Sequence, residues 1–288
     1  MIMTPKESNQ ILFLADVPSH AASQILLVSD NEHKKSYKEA IALPAGAFLT
    51  YPSDFSDESI PENSIAYHPV YGFITYSNRW KFSTRQFITD LQAADENPNI
   101  RAHLIHIDSG GGEAFGLHEA FLAVKALKKP CYAVIESLAG SAGYYLAAAA
   151  DKIYATSIFS EVGSIGMVGI FYDNTKQLKD EGIEKRTYYS NYSPLKNKIA
   201  NDALAGDGDE YIKNFLDPMA LQFIEDVCSV RPELTQEAKE GQIYYALRAQ
   251  EAGLIDGQYL LNEVIDLLDK VAPITKQSPS VDINKLNF

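Results

Sequence analysis

The spacing of apolar and polar residues changes several times along the chain, and each change marks an element. Residues 70–76 are apolar and aromatic enough for a strand. Residues 83–94 predict a helix, with Ser83 as its cap and Phe87, Ile88 and Leu91 on one face. Asn97, Pro98 and Asn99 end it. Residues 102–107 are mostly apolar, as in a buried strand, and run directly into the turn signal Asp108-Ser109-Gly110-Gly111-Gly112. Beyond the glycines, Ala114, Leu117, Phe121, Val124 and Leu127 recur at three- and four-residue steps, the stripe of a core-facing helix that stops at Lys128-Lys129-Pro130.

Residues 132–136 form the next strand, which leads through Gly140 and Ser141 into an alanine-rich helix. Residues 152–155 are a further strand, followed by the turn Gly163-Ser164-Ile165-Gly166 and a strand over 167–172. Residues 175–181 read as a helix closed by Gly182, and 185–189 as another strand. Repeated strand, turn and helix units imply an α/β fold with a largely parallel sheet and crossover helices. The remainder is mostly helical, over 210–230, 246–252 and 260–271. Residues 1–65 are mixed, with a short strand at 25–28 and a connector at 51–62, and read as an extension or arm suited to pairing between subunits. Residues 66–271 form the main domain, and 272–288, mixing Pro, Ser and Lys, a flexible tail.

The 288 residues are enough for a large core, and 46% apolar and 22% charged residues are ordinary for a soluble protein. A formal charge of -13 argues against nucleic acid as a partner, because phosphate binding needs clustered Lys and Arg. Cys131 and Cys228 lack metal-site spacing and are too few for a disulfide framework, so a reducing, cytoplasmic setting is expected, with no metal and no cofactor. No stretch reaches the roughly 18 apolar residues that span a bilayer. The run from Ile11 to Ala15 is too short for a signal-peptide core, so any membrane anchor is expected outside this chain.

Candidate chemistry gathers at Ser141, set between Gly140 and Ala142 after an apolar strand and before a helix. The first amides of a helix have no intrahelical partner and point at developing negative charge. Ser141 could therefore attack a carbonyl while the amide of Ala142 stabilises the oxyanion. A plain N-capping serine is the alternative. Two successive units end in small-residue turns at Gly110-Gly111-Gly112 and Gly140-Ser141-Ala142. In a parallel sheet both turns face one cleft, which makes the amide of Gly111 a second candidate donor. A phosphate cradle is disfavoured, since neither the GxxxxGK[ST] pattern nor a nearby lysine is present.

A serine nucleophile needs a base. His20, His33, His68, His103, His106 and His118 all precede Ser141, and none falls on a strand-end turn of its own, so they read as structural. Lysine is the other candidate, competent only if burial or nearby positive charge lowers its pKa. Lys196 stands in a turn with Pro194, after a predicted strand.

Four motifs in order carry a resemblance: Ile107-Asp108-Ser109-Gly110-Gly111-Gly112, Gly140-Ser141-Ala142-Gly143-Tyr144-Tyr145-Leu146-Ala147, Ala150-Asp151-Lys152-Ile153-Tyr154-Ala155 and Gly163-Ser164-Ile165-Gly166. Together, over roughly residues 70–260, they resemble the signal peptide peptidase A family. This is the S49 family of serine peptidases with a Ser-Lys dyad, which includes phage head-maturation proteases. The resemblance implies a ClpP/crotonase-like fold of stacked ββα units. It implies Ser141 as nucleophile, Gly111 and Ala142 as oxyanion donors, Ser164 as the hydroxyl that orients the lysine, and Lys196 as general base. Relatives place the lysine directly after a short glycine-containing segment. Here Asn191, Tyr192, Ser193 and Pro194 fill that loop and the lysine arrives about two positions late, which makes Lys198 the alternative base. Ser109 stands where the family commonly has proline.

The expected function is that of a serine endopeptidase acting on extended or unfolded polypeptides, as a homo-oligomer whose subunits help to enclose the sites. Tyr144 and Tyr145 are expected near an apolar pocket, and a phage head protease or a signal-peptide-degrading enzyme are the settings considered. Two alternatives stay open: an inactive assembly subunit, and a crotonase-like acyl-CoA enzyme that uses acidic catalysts and needs no serine.

Overall fold

Alternation along two central strands divides the core into two layers. The computed structural model describes residues 11–14, 48–50, 55–56, 60–78 and 80–272. Its centre is β3 (Ser64–Ile74, after β1, Ile11–Leu14, and β2, Phe48–Thr50), β4 (Ile100–Glu113), β5 (Cys131–Gly140) and β6 (Lys152–Ala155). These four run parallel, with Val70 opposite Ile107, Ile107 opposite Ile135 and Ile135 opposite Ala155. Successive side chains of a strand point to opposite faces. Ile105, Ile107, Ala133 and Ile135 accordingly join the larger apolar cluster, while Ala102, Leu104, Tyr132 and Val134 join a second cluster on the other face. Helices cover both faces, as a parallel sheet requires.

The larger face is covered by α1 (Thr84–Glu96), α2 (Leu117–Lys125) and α3 (Ala142–Ala148). The chain then forms β7 (Glu161–Gly163), β8 (Val168–Gly169), α4 (Thr175–Asp180), α5 (Lys198–Leu204) and α6 (Asp209–Tyr211). A π-helical turn (Ile212–Leu216) leads into α7 (Asp217–Val230), which is followed by α8 (Gln236–Lys239), β9 (Ile243–Tyr245) and α9 (Ala246–Glu251). Phe223 and Val227 of α7 and Ala246 and Ala249 of α9 complete the larger cluster. Finally come β10 (Gly257–Gln258) and α10 (Leu261–Val271), whose Val264, Ile265 and Leu268 cover the second face. β10 extends the sheet beside β6 and β2 beside β3, both in parallel. β7 is parallel to β5 and antiparallel to β9. β1 is antiparallel to both β4 and β8.

The α/β class, the parallel units and the C-terminal helices are those expected from the sequence. Several details differ. The glycine segment is not a turn: β4 continues through it to Glu113, paired with Phe73 and Ile74 of β3 and with β1. Gly112 has to be glycine there, because a Cβ would collide with the backbone of Ile74. Residues 185–189 form no strand and are exposed throughout. The strand expected over 167–172 is only the two-residue β8. The long helix expected over 210–230 is widened by the π turn, just before Pro218, which has no N–H for the carbonyl four residues back. The strand expected at 25–28 and the tail beyond Ala272 lie outside the described residues. No helix among the described residues is long and apolar enough to cross a membrane.

Gly143, in the first turn of α3, gives a test of how closely this helix seats on β4. A Cβ there would stand 2.7 Å from the carbonyl oxygen of Ser109. Alanine ordinarily favours a helix over glycine by up to about 1 kcal/mol. Forced backbone movement costs about 1–3 kcal/mol, so the contact outweighs propensity. Gly143→Ala is expected to destabilise the chain in urea unfolding, and a stabilised variant would show that the close approach is absent.

Candidate active site

β5 carries the site. Its last residues pair with β7, Leu138 with Glu161, Ala139 with Val162 and Gly140 with Gly163. The chain then turns sharply at Ser141, whose backbone sits at φ 52° and ψ −115°. Its N–H donates to the carbonyl of Gly163 at 2.8 Å, and its own carbonyl accepts from the N–H of Tyr145 at 2.9 Å. A capping serine keeps extended backbone and bonds its side chain to an amide of the first turn. Ser141 does neither, which removes the N-cap alternative. Its Oγ is fully buried and has no hydrogen-bond partner among the described residues.

The parallel register brings the two small-residue segments together. Ser109 of β4 lies opposite Ala139 of β5, so two residues further along each chain stand Gly111 and Ser141. The amides of Ala142 and Gly143 open α3 beside Ser141. The Gly111 amide, at φ 115°, is engaged: it donates to Ser109 Oγ at 3.1 Å, and that hydroxyl donates to the carbonyl of Gly72 at 2.6 Å. Gly72 is a bulge in β3 with φ 69°, which turns its carbonyl out of the ladder. Ser109 thus ties the glycine segment to β3 through hydrogen bonds where proline would use ring rigidity. Its part was missed from sequence, although a hydroxyl in the place of that proline was a usable signal.

Ser164 follows Gly163, the residue that holds the Ser141 amide. It is buried, has φ 55°, and donates its N–H to the carbonyl of Gln242 at 3.0 Å. Ser141, Ala142, Gly111 and Ser164 are therefore gathered at one end of the parallel strands. The two lysines are elsewhere in character. Lys196 is exposed in a run of turns, and residues 181–192 before it are exposed throughout. The expectation that Lys196 is buried fails in the single chain, where it and Leu195 beside it are exposed. Lys198 opens α5, also exposed, and pairs with Asp202. The hydrogen bond and charge of Asp202 hold its pKa above the usual lysine value, which is contrary to the needs of a base.

Tyr144 and Tyr145 do not line a pocket. Tyr144 donates to the carbonyl of Leu254 at 3.0 Å, and Tyr145 donates to Asp226 and stacks on Phe223 with ring centroids 4.2 Å apart. They anchor α3 in the core. The histidines within the described residues are also structural in setting. His68 and His103 are buried and stacked on one another, and burial pushes both below the usual histidine value. His106 is buried beside the hydroxyls of Tyr67 and Tyr71 and is pushed down to about 4 by burial. His118 bonds to Asp226 at 2.7 Å. His20 and His33 lie outside the described residues. No group of His, Cys, Asp and Glu suited to a metal ion occurs among the described residues.

The profile of peptidase family S49 matches residues 123–275, more than half of the chain. The chain belongs to this family. A protein of Enterococcus faecium named for signal peptide peptidase SppA is 27% identical over 205 residues, covering 69% of this chain and 59% of that protein. The chloroplastic serine protease SPPA of Arabidopsis thaliana is 27% identical over 207 residues, covering 69% of this chain and 29% of that protein. The S49 chain thus matches less than two thirds of the length of either relative. Among solved structures, a mutant of the 1510-N membrane-bound stomatin-specific protease is similar, with a TM-score of 0.42, 18% identity, and coverage of 70% of this chain and 83% of that one.

Two measurements test the site. A buried hydroxyl without a partner costs about 1–3 kcal/mol, so Ser141→Ala is expected to raise the unfolding free energy by about 1–2 kcal/mol in urea titration. An equal or lower value would mean that the hydroxyl is satisfied. The second concerns His106, which burial pushes down to about 4, below the usual histidine value of 6.5. Between these values the unfolded chain binds more protons, so stability falls as pH drops through that window and is full above it. His106→Gln is expected to show a shallower loss of stability from pH 6.5 to 4, and an unchanged slope would assign the pH dependence to other groups.

Proposed function

We propose that this chain is a serine endopeptidase that cleaves extended polypeptides through an acyl-enzyme. The observation that carries this reading is the Ser141 turn: left-handed backbone, both main-chain groups engaged, and a hydroxyl left over beside the amides that open α3. Ser141 Oγ attacks the scissile carbonyl and a lysine amine takes its proton. The amide of Ala142, and that of Gly111 once released by Ser109, stabilise the oxyanion. The C–N bond breaks as the lysine returns the proton to the leaving amine, and water then hydrolyses the ester. Ser164 orients the amine.

Lys196 is the proposed base, supplied when a second copy of the chain covers its loop. The surroundings of Lys196 support this, with Tyr192 97% exposed and Leu195 76% exposed. Apolar side chains so exposed mark a surface that another chain can cover, and desolvation there lowers a lysine pKa toward neutrality. Lys198, paired with Asp202, is the weaker candidate. A second reading, an inactive assembly subunit, is favoured by one observation: among the described residues no base touches Ser141 Oγ. The natural substrate, whether a capsid or scaffold protein or spent signal peptides, belongs to the same proposal, as does a cytoplasmic setting.

A fluorophosphonate probe is expected to label Ser141 in the assembled protein, and Ser141→Ala to abolish casein hydrolysis. Lys196→Ala is expected to lower kcat at least about a hundredfold, whereas Lys198→Ala leaves it within a few fold. Hydrolysis that survives loss of both amines overturns the dyad. Absence of labelling and of hydrolysis in folded, assembled protein favours the inactive subunit, and an acyl-CoA activity indifferent to Ser141→Ala the crotonase-like enzyme.

A further inference from the structure

The edge of β4 beyond the point where β5 leaves it already carries a strand. Ile11–Leu14 (β1) lies antiparallel to the end of β4, with Leu12 opposite Glu113, Phe13 opposite Gly112 and Leu14 opposite Gly111. Its other partner is β8, Ile11 opposite Gly169 and Leu12 opposite Val168. β5 pairs with β4 as far as Ser109. β1 therefore joins β4 just where β5 has left it for the nucleophile turn, and it runs toward that turn. β8 pairs, among the described strands, with β1 alone. A two-residue strand with no other partner serves as a wall for whatever strand lies beside it.

An extended polypeptide that adds itself to a sheet gains main-chain hydrogen bonds and chooses its side chains by pockets. To be cleaved at Ser141 it needs to run antiparallel to β4 and bring a carbonyl to the Gly111 amide. β1 meets the direction, and its last residue, Leu14, stands opposite Gly111. We propose that Ile11–Leu14 occupies, in cis, the strand-addition site through which this chain takes its polypeptide substrate, so that β1 and substrate exclude one another. The proposal rests on the peptidase reading above. It commits the site to an extended segment of apolar residues, the character of Ile11-Leu12-Phe13-Leu14. A tethered occupant reduces the apparent affinity for substrate by the fraction of molecules in which the slot is open.

Binding can be read without catalysis. A fluorescein-labelled peptide with the sequence of residues 9–16 is titrated by anisotropy against the full chain carrying Ser141→Ala, with and without Leu12→Pro, which removes an N–H from β1. The proline variant is expected to bind about tenfold more tightly. Equal affinity, or no binding to either protein, overturns the proposal. Should the proline variant fold poorly, hydrogen exchange on the Ser141→Ala chain decides. Excess peptide is expected to speed exchange at residues 11–14 while 111–113 stay protected, and unchanged exchange at 11–14 overturns the proposal. A chain that hydrolyses casein but binds the peptide equally with and without Leu12→Pro loses this inference and keeps the peptidase reading. One that binds as expected but neither hydrolyses casein nor labels at Ser141 keeps the occupied slot and loses the peptidase.

Discussion

The site depends on one backbone constraint, the left-handed turn at Ser141. A non-glycine residue at φ 52° and ψ −115° costs about 1–3 kcal/mol and persists only where its surroundings impose it. Two hydrogen bonds do so here, from its N–H to Gly163 and to its carbonyl from Tyr145. The neighbouring glycines follow from that arrangement. Gly163, at φ 127°, comes so near the carbonyl of Gln242 that a Cβ would stand 2.5 Å from it, and Gly143 approaches Ser109. Because the turn engages both backbone groups of Ser141 with other residues, its hydroxyl is not needed as a cap and is left for chemistry.

What was legible in the sequence was what local periodicity carries. Ser83 was readable as a cap because its hydroxyl serves its own helix, accepting from the amide of Gln86. The turn at Ser141 was readable because a serine among small residues between strand and helix is a local pattern. The glycine segment was not, since glycine has little strand preference of its own. Its extended form comes from β3 and β1 on either side of it, contacts made by residues about 40 and 100 positions away. Residues 185–189 failed in the opposite sense, since Thr187, Tyr188 and Tyr189 favour a strand yet pair with no described strand. The proposed base was the hardest to read, because desolvation of a lysine depends on what covers it, and the single chain leaves Lys196 in solvent.

Three features of the single chain act in the same direction. The amide of Gly111 is held by Ser109, Lys196 is exposed, and β1 lies where a substrate strand would enter. On the proposed mechanism each withholds one requirement of acyl transfer: an oxyanion donor, a neutral base, and access. Their removal need not be independent. A strand that replaces β1 contacts the same glycine segment whose amide Ser109 holds, so entry of substrate and release of the donor involve the same few residues of β4.

The energetics of that exchange favour control over tight binding. A main-chain hydrogen bond contributes only about 0.5–1.5 kcal/mol net, and a substrate strand entering the slot forms about as many as β1 gives up. The backbone terms therefore nearly cancel, whatever their gross size. What remains is the difference in side-chain burial and the advantage of the tether, which presents β1 at an effective concentration that a dilute polypeptide has to exceed. Compact proteins with few free extended segments lose that competition, while unfolded chains, which offer many such segments, succeed. If β1 and substrate exclude one another as proposed, discrimination against folded proteins arises from the tethered strand itself, without any pocket selective for a particular sequence.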